Sequence, residues 1–324
     1  MQLYKKNIIV LGQTFALTDI YEYGILNGFK IKKAAEDIMA GISHKWIIAF
    51  VLIAGILFAL FCSQHLRRQF TANALTGLEQ IQKADSGILA DEDIAHMPEP
   101  VQKYLRYVGV VGKEKVKGFS VRIDGSMKPD REKGWAGVNV RQYSFTDKIT
   151  RLFFIKMNMS GMPVIGLHAY SDGKATMRVK IAGLFPVVDG KGAEMNQGET
   201  VTVFNDMCLL APATLVDDRI EWEPIDELTA KASFTNEGIT ISAVLYFNEE
   251  GQLINFMSDD RYYSPTGDTY ERVRWSTPVS QYKNINGFNL PTYGEAIWNF
   301  PDGDFCYAKF YINDIQYNPS HFSQ

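Results

Sequence analysis

The chain has 324 residues, 46% of them apolar and 22% charged, and its 33 Lys and Arg against 37 Asp and Glu leave a net charge of −4 at neutral pH. These values exclude a disordered scaffold, and without a basic tract to neutralise phosphates they exclude nucleic acid as the main partner. Cys62, Cys208 and Cys306 show no CxxC or Cys/His ligand spacing, which excludes a zinc ribbon or a thioredoxin-like centre.

Residues 1–43 form an N-terminal extension, of which 1–38 have neither an amphipathic period nor a targeting pattern. Two readings stand side by side. The segment is a cytoplasmic extension, or translation truly starts at Met39, which opens a short polar head before the next element; codons able to encode residues 35–38 can contain a purine-rich ribosome-binding sequence.

Residues 46–62, WIIAFVLIAGILFALFC, are seventeen residues without a charge, roughly 26 Å of helix. Eleven are Ile, Leu, Val or Phe, and at about −0.5 kcal/mol each they favour insertion. The run has no polar face such as a core helix carries. It ends without a small-residue cleavage site, and Phe61 before Cys62 spoils a lipobox. Residues 44–65 are therefore expected to remain as one transmembrane helix, making this a single-pass membrane protein with the bilayer as a partner. Lys30, Lys32, Lys33 and Lys45 precede the span and Arg67 and Arg68 follow it, favouring an inside N-terminus; a start at Met39 tips the count slightly the other way. Long domains behind an anchor translocate largely regardless of charge, so the body is expected outside the cytoplasm.

Residues 66–96 suggest a helical stalk and linker, with Leu75, Leu78, Ile81 and Gln82 along one side of a helix over 66–83 and a polar loop after it. Pro100 then opens a short helix with Val101, Tyr104, Leu105 and Val108 on its apolar face, ended by Gly109 and Gly112.

From Val116 onward the period is two, as in Phe119, Val121 and Ile123 against Ser120, Arg122 and Asp124. Similar runs cover 135–145, 151–159, 166–170 and 174–181, then 220–224, 229–235, 240–247, 253–262, 270–275, 278–285, 289–299 and 304–316. Turn signals between them include Asp172-Gly173, Asn236-Glu237-Gly238, Glu249-Glu250-Gly251 and Asn286-Gly287. One helix over 199–210, before Pro212, interrupts the strands. The pattern predicts a mainly β body over residues 97–318, one large curved antiparallel sheet or open half-barrel with a few covering helices, and a tail at 319–324. Aromatic residues make up 13% of the chain and run to its end, which fits core packing or the wall of an apolar cavity.

The segments MPEPVQKYLRYVGVVGK (97–113), GLFPVVDGKGAEMNQGE (183–199), LLAPATLVDDRIEWEPID (209–226) and GFNLPTYGEAIWNFPDGDFCYAKFYINDIQYN (287–318), in this order, closely resemble a family of bacterial membrane-anchored proteins with a domain of unknown function. That resemblance implies no activity. More loosely, the turn and strand Asn286-Gly287-Phe288-Asn289-Leu290-Pro291 resembles a late hairpin of the periplasmic lipoprotein-carrier fold, a half-barrel with helices plugging its concave face. This resemblance implies that a lipid or acyl chain is held in an apolar cavity without catalysis; the retained anchor departs from the soluble carriers.

The strongest polar cluster is Asp189, Glu194, Asn196, Gln197 and Glu199, before the interrupting helix. Capping of the helix N-terminus would account for several of these residues; the alternative is a head-group site at a cavity mouth. Arg261 has the fork geometry for a carboxylate or phosphate, and Trp298 is a candidate for the cavity wall, with Glu295 of the same strand on the opposite face. Asp302 and Asp304 around Gly303 read as a turn. Nucleophile elbows, zincin motifs and phosphate loops are missing, the five histidines are scattered, and no metal or cofactor is implied. Cys208 and Cys306 are buried free thiols or, outside the cytosol, a pair. Three functions fit: a binder of a hydrophobic ligand or lipid in the cell envelope, an envelope enzyme using the carboxylates from Asp189 to Glu199, or an interaction module of a membrane complex. The sequence leaves the oligomeric state open.

Overall fold

The structure is a computed structural model and describes residues 7–10, 13–16, 30, 32–33, 44–82, 87–159 and 161–323. The chain divides into two compact units, Met1–Phe61 and Cys62–Gln324. In the first, β1 (Asn7–Val10) and β2 (Gln13–Ala16) pair as an antiparallel hairpin, which the sequence did not suggest. The proposed start at Met39 lies outside the described residues. Helix α1 (His44–Ser63) carries the apolar run, and its stretch Trp46–Ser63 is long and apolar enough to cross a membrane, with none of it buried.

Helix α2 (His65–Ile81) buries Leu66, Phe70, Ala74, Gly77, Leu78 and Ile81 against Tyr143, Phe145, Leu152, Phe154 and Leu167 of the sheet. This helix is packed along its length rather than standing as a stalk, and Leu75, expected on the apolar side, is 44% exposed. The contact depends on Gly77, where a Cβ would lie 2.1 Å from Cε2 of Phe145. Small residues set this face, and a search for large apolar side chains passes over them. Within the expected loop, Asp91–Ile94 form one helical turn, α3, while Asp85 lies outside the described residues. Helix α4 (Glu99–Val108) follows the predicted pattern, with Pro100 in its first turn and Gly109 left-handed at φ +81° at its end.

Strands β3 (Gly118–Met127), β4 (Ala136–Phe145), β5 (Thr150–Met159), β6 (Met162–Ser171), β7 (Lys174–Ile181) and β8 (Phe185–Lys191) form an antiparallel meander. The chain then crosses by α5 (Ala193–Leu209) and a 3-10 turn at Pro212–Val216 to the opposite edge. There β9 (Ile220–Asp226), β10 (Thr229–Asn236), β11 (Ile239–Phe247) and β12 (Leu253–Ser258) build a second wing. A small hairpin of β13 (Tyr262–Tyr263) and β14 (Glu271–Arg272) stands off the sheet. Strands β15 (Arg274–Ser276), β16 (Val279–Ile285), β17 (Phe288–Phe300) and β18 (Gly303–Tyr317) complete the second wing, and β18 pairs with β3 to join both wings in one 14-stranded antiparallel sheet. The mainly β architecture read from the period-two pattern is thus the observed one. Asp172-Gly173, Glu237-Gly238 and Asn286-Gly287 all take positive φ, the conformation that tight hairpins need.

Two boundaries differ from expectation. Strand β8 was not predicted because Pro186 and Gly190 interrupt its pattern, yet β8 is an edge strand, where a missing N–H is tolerated. Helix α5 begins at Ala193 rather than Glu199, and nearly all of it is buried. Its polar residues are tolerated because they have partners: Asn196 Oδ1 accepts the Ala175 N–H at 2.7 Å, and Asn205 Nδ2 donates to Thr277 Oγ1 at 2.6 Å. Its last carbonyls accept the hydroxyls of Tyr104 (on Cys208 O, 2.7 Å) and Tyr317 (on Leu210 O, 2.5 Å). Burial pushes both phenols well above their ordinary range.

Helix α5 touches β7 and β8 of one wing and β11 and β12 of the other, so the sheet wraps around it. At one end the wings meet. Tyr170 Oη on β6 accepts from Asn236 Nδ2 on β10 at 2.8 Å and contacts Thr200 Oγ1 on α5 at 2.9 Å, and the turn at Gly173 rests against Glu237. Towards the other end the inward side chains of both wings stand apart and leave a cavity.

Candidate ligand cavity

The cavity has a volume of about 640 Å³, within the range of small-molecule sites. Its walls follow from strand alternation. On β5, Phe153, Ile155, Met157 and Met159 face inward, and their partners Gly166 and Val164 on β6 and Val179 and Ile181 on β7 continue the same face. Gly166 is small for a reason, since a Cβ there would lie 2.8 Å from Ile155 Cγ2. Trp275, Trp298, Phe305, Tyr307 and Phe310 supply the facing wall. Val187, 46% exposed, forms part of the rim, and the exposed Phe185 and Met162 lie at the same end of the sheet.

A charged cluster forms the floor. Arg151 on β5 donates from Nη1 to Glu199 Oε1 at 2.7 Å and from Nε to Asp206 Oδ2 at 2.5 Å. Gln142 on β4 donates to the same Asp206 oxygen at 2.6 Å. His168 Nε2 and Glu199 Oε2 stand 2.9 Å apart, an ion-pair distance, but off the line of a hydrogen bond. Burial alone would raise the Glu199 carboxyl, but the charges of His168 and Arg151, the His168 contact and the more distant Arg261 outweigh it and hold it at about 2. Arg151 is likewise disfavoured by burial and rescued by Asp206 and Glu199, which together raise its pKa.

Arg261 leads into β13. Its Cζ lies 4.0 Å from the ring centre of Trp275 and 5.3 Å from that of Trp298, and Nη1 donates to Tyr307 Oη at 3.3 Å. Tyr307 in turn stacks on Trp298, at 5.9 Å between ring centres. The carboxylates beside Arg261 in sequence are engaged elsewhere: Asp260 accepts the Ser242 N–H at 2.7 Å and pairs with Arg272, and Asp259 pairs with Arg274 at 2.8 Å. Arg261 itself forms no ion pair among the described residues.

The six sequence candidates separate on this geometry. Glu194, Glu199, Arg261 and Trp298 line the cavity. Asp189 does not: it is exposed on β8 opposite Arg178, on the face that carries α2, where Arg178 Nη2 bonds Gln69 Oε1 at 2.5 Å. Gln197 is turned to the backbone of Asp260, donating to its carbonyl at 3.2 Å. Capping does not account for Glu199, which lies inside α5, and no side chain caps the first turn of that helix. Glu295 lines the cavity as well as Trp298, against the expectation that it faces the other side, and its Oε1 accepts the Tyr293 hydroxyl at 2.5 Å. Asp302 lies in the expected turn and pairs with Arg131 at 2.9 Å. Cys208 and Cys306 are free thiols. Among the described residues no group of three His, Cys, Asp or Glu side chains is placed to hold a metal ion.

Sequence reasoning missed Arg151, His168, Asp206 and Trp275. Two signals were present. Arg151 shares a parity with Phe153, Ile155 and Met157 and so had to face their apolar side, and Glu199 and Asp206 are seven residues apart, two turns along one helix face.

The chain is thus a curved antiparallel sheet around a buried helix, with an apolar cavity floored by a neutralising charge cluster. It belongs to the family of unknown function DUF6544, whose model matches residues 87–310. No curated protein matches the sequence. Among solved structures, the chain is similar to a putative outer membrane lipoprotein-sorting protein domain from Vibrio parahaemolyticus, at 8% identity and a TM-score of 0.36 over 62% of this chain and 85% of that one. It is also similar to a LolA superfamily protein from Nitrosomonas europaea (9% identity, TM-score 0.36, 67% of this chain and 91% of that one). A third is a DUF1329 family protein from Desulfovibrio piger (12% identity, TM-score 0.38, 68% and 93%).

Proposed function

We propose that the body of this protein binds one hydrophobic or amphiphilic molecule, a membrane lipid in the first instance, in the cavity between its wings. The observation that carries the reading is the cavity itself, about 640 Å³ bounded mainly by inward Phe, Ile, Met, Val and Trp side chains. An apolar concavity of this size gains free energy by exchanging water for an apolar ligand, at roughly 25 cal/mol per Å² removed from water. The exposed apolar residues at the rim offer such a ligand a path that avoids full exposure. In this reading α1 anchors the protein in the membrane, and the body lies outside the cytoplasm. Acid–base catalysis by the run from Asp189 to Glu199 is not favoured, since Asp189 faces elsewhere and Glu199 is committed to Arg151 and His168.

The test is native mass spectrometry of the full chain released from lipid nanodiscs, followed by extraction of any adduct. One stoichiometric lipid is expected, and its loss in Met177→Trp and Ile155→Trp, which fill the cavity. Wild-type protein that stays free of adduct when offered a range of lipids would overturn the reading, as would adducts that persist in both filled variants.

A further inference from the structure

The cavity is not uniformly apolar: Lys128, Lys133, Glu194 and Glu295 also line it, Lys133 paired with Asp130 and Glu295 with Lys309. At the floor Arg151 donates to Glu199 and Asp206, and His168 faces Glu199 at ion-pair distance. Arg261 is different. It lies between two indole rings, its neighbours Asp259 and Asp260 are held by Arg274, Arg272 and Ser242, and one donor reaches only the weak acceptor Tyr307 Oη. A guanidinium has five N–H donors in a fixed fork. Arg261 lines the cavity, and among the described residues Tyr307 Oη is the one acceptor its guanidinium reaches. Glu199 is only a distant counter-charge to Arg261, and a cation without a carboxylate in direct contact costs solvation energy that an incoming anion would recover. The tryptophans hold the fork in place by cation–π contact, so little side-chain entropy is lost when it binds.

We propose that Arg261, seated between Trp275 and Trp298, is the head-group subsite of the cavity, and that the ligand is an amphiphile with an apolar tail and an anionic oxygen group, carboxylate or phosphate. The assignment rests on the cavity reading above and narrows its ligand class. The tail lies along the Phe153, Ile155 and Met157 face, and the anion accepts two N–H bonds from the Arg261 fork.

The experiment uses the full chain in phosphatidylcholine nanodiscs, offered tetradecyl phosphate, tetradecanoic acid, tetradecanol or inorganic phosphate, with bound ligand counted by native mass spectrometry. Wild-type protein is expected to take either anionic amphiphile about tenfold more tightly than the alcohol, the scale of one charge-assisted pair. Arg261→Gln is expected to lower both to about the level of the alcohol. Arg261→Lys, which keeps the charge and loses the fork, is expected to retain part of the preference; it and the wild-type comparison decide the matter if Arg261→Gln misfolds. Equal binding of acid, phosphate ester and alcohol by wild type overturns the head-group assignment and leaves the cavity reading standing. No binding of any amphiphile overturns both. Arg261-dependent binding of inorganic phosphate as tight as that of the phosphate ester overturns the amphiphile and identifies a free-anion site.

Discussion

Replacing Arg151 by Met removes the cation on which the cavity floor depends. Its side chain is 6% exposed, and those of its partners Glu199 and Asp206 are 0% and 13% exposed, so both carboxylates would remain largely out of water without the guanidinium that pairs them. Breaking a buried pair from one side costs about 3–5 kcal/mol. Both contacts share one guanidinium and do not add independently, so the loss should stay within that range. For a body of this size it corresponds to a fall in melting temperature of about 6–20 °C. Denaturant unfolding of the full chain in mild detergent, followed by tryptophan fluorescence, measures it. Without Arg151 the folded-state carboxyls take up protons more readily than unfolded ones, so the deficit should shrink as pH is lowered from about 7 to about 5. The triple variant Arg151→Met, Glu199→Gln, Asp206→Asn, which leaves no buried charge among the three, should recover most of the loss. A deficit under about 1 kcal/mol, or a triple variant no more stable than the single one, would refute the argument that the floor is a mutually neutralising unit.

Three other outcomes follow from the same geometry. Glu199, held at about 2 against an ordinary 4.5, contributes about 3 kcal/mol that is fully present above pH 4.5 and lost as pH falls towards 2; Glu199→Gln should flatten that acid limb in a pH series of unfolding curves. Gly77→Ala should destabilise the body by about 1–3 kcal/mol despite a gain in helix propensity of about 1 kcal/mol, because the added Cβ meets the buried Phe145 ring; an unchanged unfolding midpoint would mean that α2 stands off the sheet. Gly267→Val should release the 264–270 loop from β8, since at φ +89° its Cβ would lie 3.0 Å from the Gly190 backbone; hydrogen exchange should then rise across residues 188–191 and 262–272, and a profile matching wild type would count against this contact.

The β character of the body and most of its hairpins were legible in the sequence because alternation and turn chemistry are local. Asp172-Gly173 and Asn286-Gly287 encode their own positive-φ turns wherever the strands end up. Helix α4 was equally legible from Pro100, its apolar face and Gly109. Strand β8 and the first turns of α5 were not, because their local signals are those of a loop. Only the edge position of β8 accommodates Pro186, and only the surrounding sheet satisfies Asn196 and buries the helix.

The site divides along the same line. Alternation and turn signals set a mainly β body, the apolar run at 46–62 set one helix apolar enough to span a membrane, and residue chemistry singled out Glu199, Arg261 and Trp298. Tertiary structure decided the rest. It placed Arg151 of β5 and His168 of β6 against Glu199 of α5, turned Asp189 to the opposite face, and set Arg261 between two tryptophans from different strands. The physical reason is range: periodicity reports which side of an element a residue faces, whereas the pairing of charges across elements depends on how the sheet curves around α5, which no local stretch of the chain specifies.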